Sequence, residues 1–391
     1  MSGGLGLAGR TQALAAALLA IGLGFDVATD GLFLTARNLQ NLAVQSSVVG
    51  ILACGMVLVI VARQIDLSVG SVLGLVAMAV ATLQVEGLAG GAAWPWPLAL
   101  VAGLALGATI GAAQGGLVAW VGLPAFVVTL AGLLVFRGAA YLVTDGRTVA
   151  PLAAGFRSLG GGVEGSIGSA ASWALGAVAV AALGTVALRR RRARASHGFE
   201  ARPVWRDALL FAAGAAGIVA GVLVMSAPVG AAPPRGIPVP VLVLVGAALA
   251  TAGLARRTRF GRHVFAIGGG GEAAALAGIA VRRVTLGVFA WMGWLAAVAG
   301  ALTAARLDAG TNSMGTLAEL GAIAAAVLGG SSLAGGAGAV GGAVLGAFVM
   351  QALENGLVLL GVSSALRQVA TGGLLLVAVA IDAALQRRGR R

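Results

Sequence analysis

Residues 256–283 read RRTRFGRHVFAIGGGGEAAALAGIAVRR. Arg256, Arg257, Arg259 and Arg262 open the stretch, and Arg282 and Arg283 close it. It separates two strongly apolar segments, at about 239–255 and about 285–305, and it is the longest charged interval of its kind in the second half of the chain. Gly268, Gly269, Gly270 and Gly271 lie in its middle, where four consecutive glycines are expected to leave the backbone loose and turn-prone. Glu272 and the alanines after it suit a short helix, with the acid at the positive helix end. The expected unit is a loop carrying a short surface helix, held by arginines to one face of a membrane. On composition alone, a plain basic loop between two spans fits equally well.

The rest of the chain supplies the membrane. Of 391 residues, 59% are hydrophobic and 10% charged, and the mean hydropathy is +0.99. A soluble domain carries roughly 25% charged residues. The expected fold class is therefore an all-α polytopic membrane protein, and the 64 glycines suit helices that pack closely in lipid. Every basic side chain is arginine, so a GxxxxGK[ST] phosphate loop is excluded for want of its lysine. The net charge of +13 lies beside apolar runs, which points to membrane lipid and away from nucleic acid. Cys54 is alone, so no intramolecular disulfide can form, and His197 and His263 are too few and too far apart for a metal site. Arg10 precedes an apolar stretch without a small-residue cleavage site, which reads as an uncleaved first span.

A crossing helix needs about 20 residues. Twelve candidates follow, at about 11–29, 41–62, 68–86, 98–120, 125–143, 167–188, 208–227, 239–255, 285–305, 317–329, 338–359 and up to 385. Trp94 and Trp96 stand where interfacial anchors belong. Alternation from a cytoplasmic N-terminus puts 19 arginines inside, including those from Arg189 to Arg206 and in the tail, and 6 outside, with Arg137 left within span five. That positive-inside pattern places both termini and residues 256–283 in the cytoplasm.

Polar residues near the spans are few. Asp66 stands in Ile65-Asp-Leu-Ser-Val-Gly-Ser71, where Ser68 is placed to cap the next helix and Ser71 falls at its third position. A carboxylate at that depth must be paired or wet, so Asp66, Ser68, Gly70 and Ser71 form either a polar break tying two spans together or part of a solute path. Gly329, Gly330, Ser331 and Ser332 begin a second interruption, read either as a broken helix of the kind found at transporter sites or as a tight hairpin. Glu354 and Asn355 are either a polar lining or a helix-to-helix hydrogen bond. Arg137 is expected to face protein, with a carboxylate as the natural partner. No Ser/His/Asp arrangement is present, and no catalytic role is assigned.

Several strings recur together. Arg259-Phe-Gly-Arg262, Phe265-Ala-Ile-Gly-Gly269, Glu272-Ala-Ala274 and Leu276-Ala-Gly-Ile279 resemble the coupling loop of ABC-importer sugar permeases of the ribose/xylose/arabinose type. The same family is resembled by IDLSVGS at 65–71, PAFVVTL at 124–130, Arg137-Gly138, Thr144-Asp-Gly146 and LGGSSLAGGAG at 328–338. The resemblance spans about 38–160 and 238–385, leaving 167–230 as an expected inserted helix pair with a basic cytoplasmic loop. It implies that Arg259, Gly261, Arg262, Gly268, Glu272, Ala273, Ala274 and Gly278 couple to a separate ABC ATPase, which holds the ATP; this chain has no cofactor of its own. It also implies a periplasmic or lipid-anchored sugar-binding protein, a second copy of the chain, alternating access, and the bacterial inner membrane. The chain's length is closer to xylose-type permeases. Gly271 departs from the pattern, which has a proline there. An ion-coupled secondary transporter and a branched-chain amino acid permease remain the alternatives.

Overall fold

The computed structural model describes residues 7–162, 165–196, 203–229 and 235–389; His197, Arg202, Arg390 and Arg391 lie outside them. Among the described residues the fold is helical and has no strand; isolated bridges join Val149 to Gly310 and Ser166 to Pro238. The first five helices are α1 (Leu7–Ala28), α2 (Ala36–Val61), α3 (Val69–Val85), α4 (Trp96–Gly116, continued by a π turn Leu117–Val121) and α5 (Ala125–Leu142). A short α6 (Ala154–Arg157) precedes α7 (Ser169–Ser196), α8 (Val204–Ser226) and α9 (Val239–Arg257). Then come α10 (Arg259–Gly269), α11 (Gly271–Leu276), α12 (Val281–Leu307), α13 (Ala318–Leu328), α14 (Val340–Leu359) and α15 (Ser364–Gly389). Pro95, Pro124, Pro203 and Pro238 each sit directly before a helix, where a residue without an N–H costs nothing.

Among the described residues, ten helices are long and apolar enough to cross a membrane. α13 corresponds to the tenth expected span but has only 11 residues. That is about 16 Å of helix against a hydrocarbon core of about 30 Å. It is a half-span, and its missing half is the irregular segment before it.

α2 is the axis of the packing: from Ile51 to Val61 every residue is buried. Cys54 is among them, an inert core thiol. α12 is the second axis, and it meets α4 backbone to backbone. Gly107 and Gly111 of α4 press on the carbonyls of Gly293 and Phe289, leaving no space for a Cβ. Such contact replaces the hydrophobic drive that helices lack in lipid. α7 and α8 pack mainly on each other; Gln40 of α2 ties them in by donating to the carbonyls of Val224 (3.0 Å) and Ala227 (3.2 Å).

The connectors gather into two groups. In one, Arg147 pairs with Glu86 at 3.1 Å, Leu152 N donates to Asp308 Oδ1 at 2.9 Å, and Ile167 N donates to Ile237 O at 3.1 Å. Trp96 stacks obliquely on Phe156 there, centroids 6.4 Å apart, so it packs on protein. In the other group, Gly336 N donates to Val61 O at 3.0 Å, and the end of α10 touches both.

Candidate translocation and coupling sites

The first polar site grows from the end of α2. Arg63 turns the chain with a left-handed backbone (φ 60°), and residues 64–68 run without regular structure until α3 begins. Asp66 Oδ1 accepts from Ser68 N at 2.9 Å and Ser68 Oγ at 2.7 Å. Ser68 is therefore the residue before α3, as expected, but its hydroxyl does not cap the helix; it is spent on Asp66. Ser68 Oγ also lies 3.1 Å from the Gln114 amide of α4. Turning that amide over brings its unpartnered Nε2 onto Ser68 as a donor, which resolves both groups. Thr129 of α5 holds the carbonyl of Ile65 at 3.1 Å. Asp66 is 3% exposed, so it ties the break together and faces no open space.

A second irregular segment, 308–317, meets this one. Leu317 (φ 61°) and Gly315 (φ 72°) turn it into α13. Gly70 lies flat against Gly315 and the Glu319 carboxylate, with no room for a Cβ. Arg137 donates to the carbonyls of Asn312 (3.1 Å) and Met314 (2.7 Å). Arg137 thus satisfies carbonyls that a half-span leaves bare, and the carboxylate expected near it is Glu319, which it feels through charge while its hydrogen bonds go to backbone. Among the described residues, Glu319, buried at the start of α13, keeps one carboxylate oxygen without a partner, and the Ser71 hydroxyl has none either.

Gly329, Gly330, Ser331 and Ser332 are not part of this meeting point. They form the hairpin between α13 and α14, where Gly329 packs on Gly342 and Ala343. Gly321 in α13 packs on Val49, about 18 Å along α2 from Val61, beside which the hairpin ends.

Beside this knot, where residues 64–70 meet 308–317, opens a cleft of about 810 Å³ between α2, α12, α13, α14 and α15. Its polar lining includes Gln45, Thr303, Arg306, Gln351, Glu354 and Arg367. Glu354 and Asn355 therefore part company. Glu354 faces the cleft, whereas Asn355 exchanges amide hydrogen bonds with Asn38 at 2.8 and 3.0 Å and locks α14 to α2. Only Glu354 of this lining was legible in the sequence. The overlooked signal is a polar pair three residues apart on apolar helices: Thr303/Arg306, Gln351/Glu354 and Gln368/Thr371.

The third site is α10 with α11. Thr258 caps α10 by accepting from Gly261 N at 3.2 Å. Gly261, Val264, Ile267 and Gly268 are buried, while Arg259 and Arg262 point outward. The glycine run is not loose: Gly268 and Gly269 are helical, Gly271 starts α11, and only Gly270 interrupts. Gly268 is pressed on Val61 O and Gly336, which explains a glycine there by contact. In α11, Ala274 is buried, and Glu272 and Ala273 are exposed, as is Gly278 (φ 82°) just beyond it. Leu276 is 90% exposed, a bare apolar side chain at the tip of a polar surface unit.

The family profile described as "Branched-chain amino acid transport system / permease component" matches residues 38–379. The chain belongs to this family of transport permeases. It is 41% identical over 374 residues to the xylose transport system permease protein of Escherichia coli K12, covering 95% of this chain and 91% of that protein. Against the Haemophilus influenzae protein of the same name it is 41% identical over 358 residues, 92% of each. The ribose import permease protein of Escherichia coli K12 is 35% identical over 353 residues, 90% of this chain and 87% of that protein. No solved structure matches significantly. With its apolar helices, the chain is a multi-pass protein of the bacterial inner membrane.

Proposed function

We propose that the chain is the membrane subunit of an ATP-driven importer for a monosaccharide, a pentose such as xylose. The observation that carries this reading is the 41% identity to a xylose permease over 95% of the chain. In this reading ATP is bound and hydrolysed by a separate cytoplasmic ABC ATPase, which receives α11 and the outward face of α10. A periplasmic or lipid-anchored binding protein delivers the sugar, and two copies of the chain form the path. The cleft supports the copy-to-copy arrangement: Arg306 and Glu354 at exposed positions, with Arg367 half-buried beside them, are costly against lipid and belong against water or protein. Its amides and hydroxyls suit an uncharged polyol. Twelve spans with both termini cytoplasmic belong to the same proposal, as does the α7–α8 pair as an insertion whose arginines meet anionic lipid.

The test is uptake into proteoliposomes holding the chain, its ATPase and its binding protein. Xylose should accumulate only with ATP on the ATPase side, and an ionophore should leave the rate unchanged. A second reading, ion-coupled transport, has one foothold, the half-partnered buried Glu319 between Arg137 and Asp66. Accumulation driven by an ion gradient with the ATPase omitted would favour it.

A further inference from the structure

Three segments far apart in sequence converge at the end of α2, and one side chain joins them. Arg63 Nε donates to Ala334 O at 2.8 Å, in the α13–α14 hairpin. Its Nη2 donates to Gly269 O at 3.4 Å, the last residue of α10. Its stem fills the space that a side chain on Gly335 (φ 84°) would need. Gly336 N on Val61 O and Gly268 against both complete the contact. The backbone of Arg63 is left-handed, a conformation in which glycine is the undemanding choice and other residues are uncommon. An arginine is placed there despite that, and its guanidinium lies on carbonyls at the negative end of α10 and in the hairpin, where a fixed cation is favoured. Neither contact is to a carboxylate, so Arg63 reads geometry and not charge pairing.

We propose that Arg63 is a positioning residue that makes α10 and the α13–α14 hairpin move as one body with α2, carrying displacement of α11 to the helices around the polar cleft. Motion of α11 reaches α10 through one interrupting residue, Gly270. From α10 it has two routes inward: through the helix chain into α9 and α12, and through Arg63 into the hairpin that ends α13 and starts α14. α13 and α14 bear cleft residues, so the second route is the short one to the solute. This inference rests on the ATPase-driven reading above.

The experiment uses the full transporter in proteoliposomes, with uptake and sugar-stimulated ATP hydrolysis measured on the same preparation. In Arg63→Ala the outward faces of α10 and α11 are untouched. ATPase association, hydrolysis and the KM for loaded binding protein should stay at wild-type values, while uptake per ATP falls at least about fivefold, the low end of what the two lost hydrogen bonds represent. Gly335→Ala, which crowds the Arg63 stem, should reproduce the loss. Arg63→Lys, able to reach one carbonyl but not both, should fall between. Should the alanine variant fail to assemble, the lysine variant decides by the same readouts. Unchanged uptake per ATP in these variants overturns the proposal, and so does a parallel fall of uptake and hydrolysis with assembly intact. Wild-type uptake that needs no ATPase would instead overturn the permease reading itself, and that control separates the two failures.

Discussion

The knot at Asp66 and the cleft at Glu354 are both polar places in an apolar protein, and they are built in opposite ways. In the knot, Asp66, Ser68, Gln114, Thr129 and Arg137 bond one another or bare backbone, and the packing admits no extra atom at Gly70. In the cleft, Gln351, Glu354 and Arg306 line open volume. The difference teaches that a polar string within the spans marks a place where the backbone leaves helix and must be satisfied by side chains. Spare bonding capacity alone does not separate the two, since Glu319 Oε2 and Ser71 Oγ keep it at the knot; open volume beside the side chain does.

The largest effect that could break this contrast is at Gly70. A valine there would overlap Gly315 and Glu319 and should destabilise the chain by about 3 kcal/mol or more, read as a lower melting temperature in detergent. A melting curve like the wild type's would mean that the two irregular segments do not meet. Next is Asp66→Ala, which strips Ser68 of a buried acceptor; about 2 kcal/mol of stability should go, with sugar preference unchanged. A shifted sugar preference at full stability would move Asp66 into the path. Smaller in stability are Gln351→Ala, a buried amide whose loss should cost about 1 kcal/mol, and Glu354→Gln, at an exposed position and expected within about 0.5 kcal/mol of wild type. Both should nonetheless change the rate or selectivity of uptake between xylose and ribose. Unchanged transport in both would empty the cleft of its assigned role.

Much of this was legible beforehand. The positions of the apolar segments, the short α11 and the break before α3 follow from hydrophobic runs, glycines and a lone carboxylate. The extent of α13 was legible too, expected at about 317–329 and found at Ala318–Leu328, but it was counted as a crossing span, because the irregular half before it is itself only weakly polar. The glycine run misled for a related reason: sequence shows that glycine permits freedom, whereas Gly268 is there because Val61 and Gly336 leave no room. Arg137 has the expected carboxylate near it in Glu319 but spends its hydrogen bonds on carbonyls, since a half-span exposes backbone that no composition reveals. The cleft was overlooked because its residues are spread over five elements, and each pair, such as Thr303 and Arg306, is unremarkable alone.

The account depends most on α11 being the place where another polypeptide applies force. Leu276, 90% exposed, and Glu272 beside it can be replaced together by Leu276→Ser and Glu272→Ala without touching the core. Co-purification of the cognate ATPase with this variant is the direct measurement, with the melting curve as control. The variant should melt like the wild type but no longer retain the ATPase or support sugar-stimulated hydrolysis. Retention and hydrolysis at wild-type levels would contradict it.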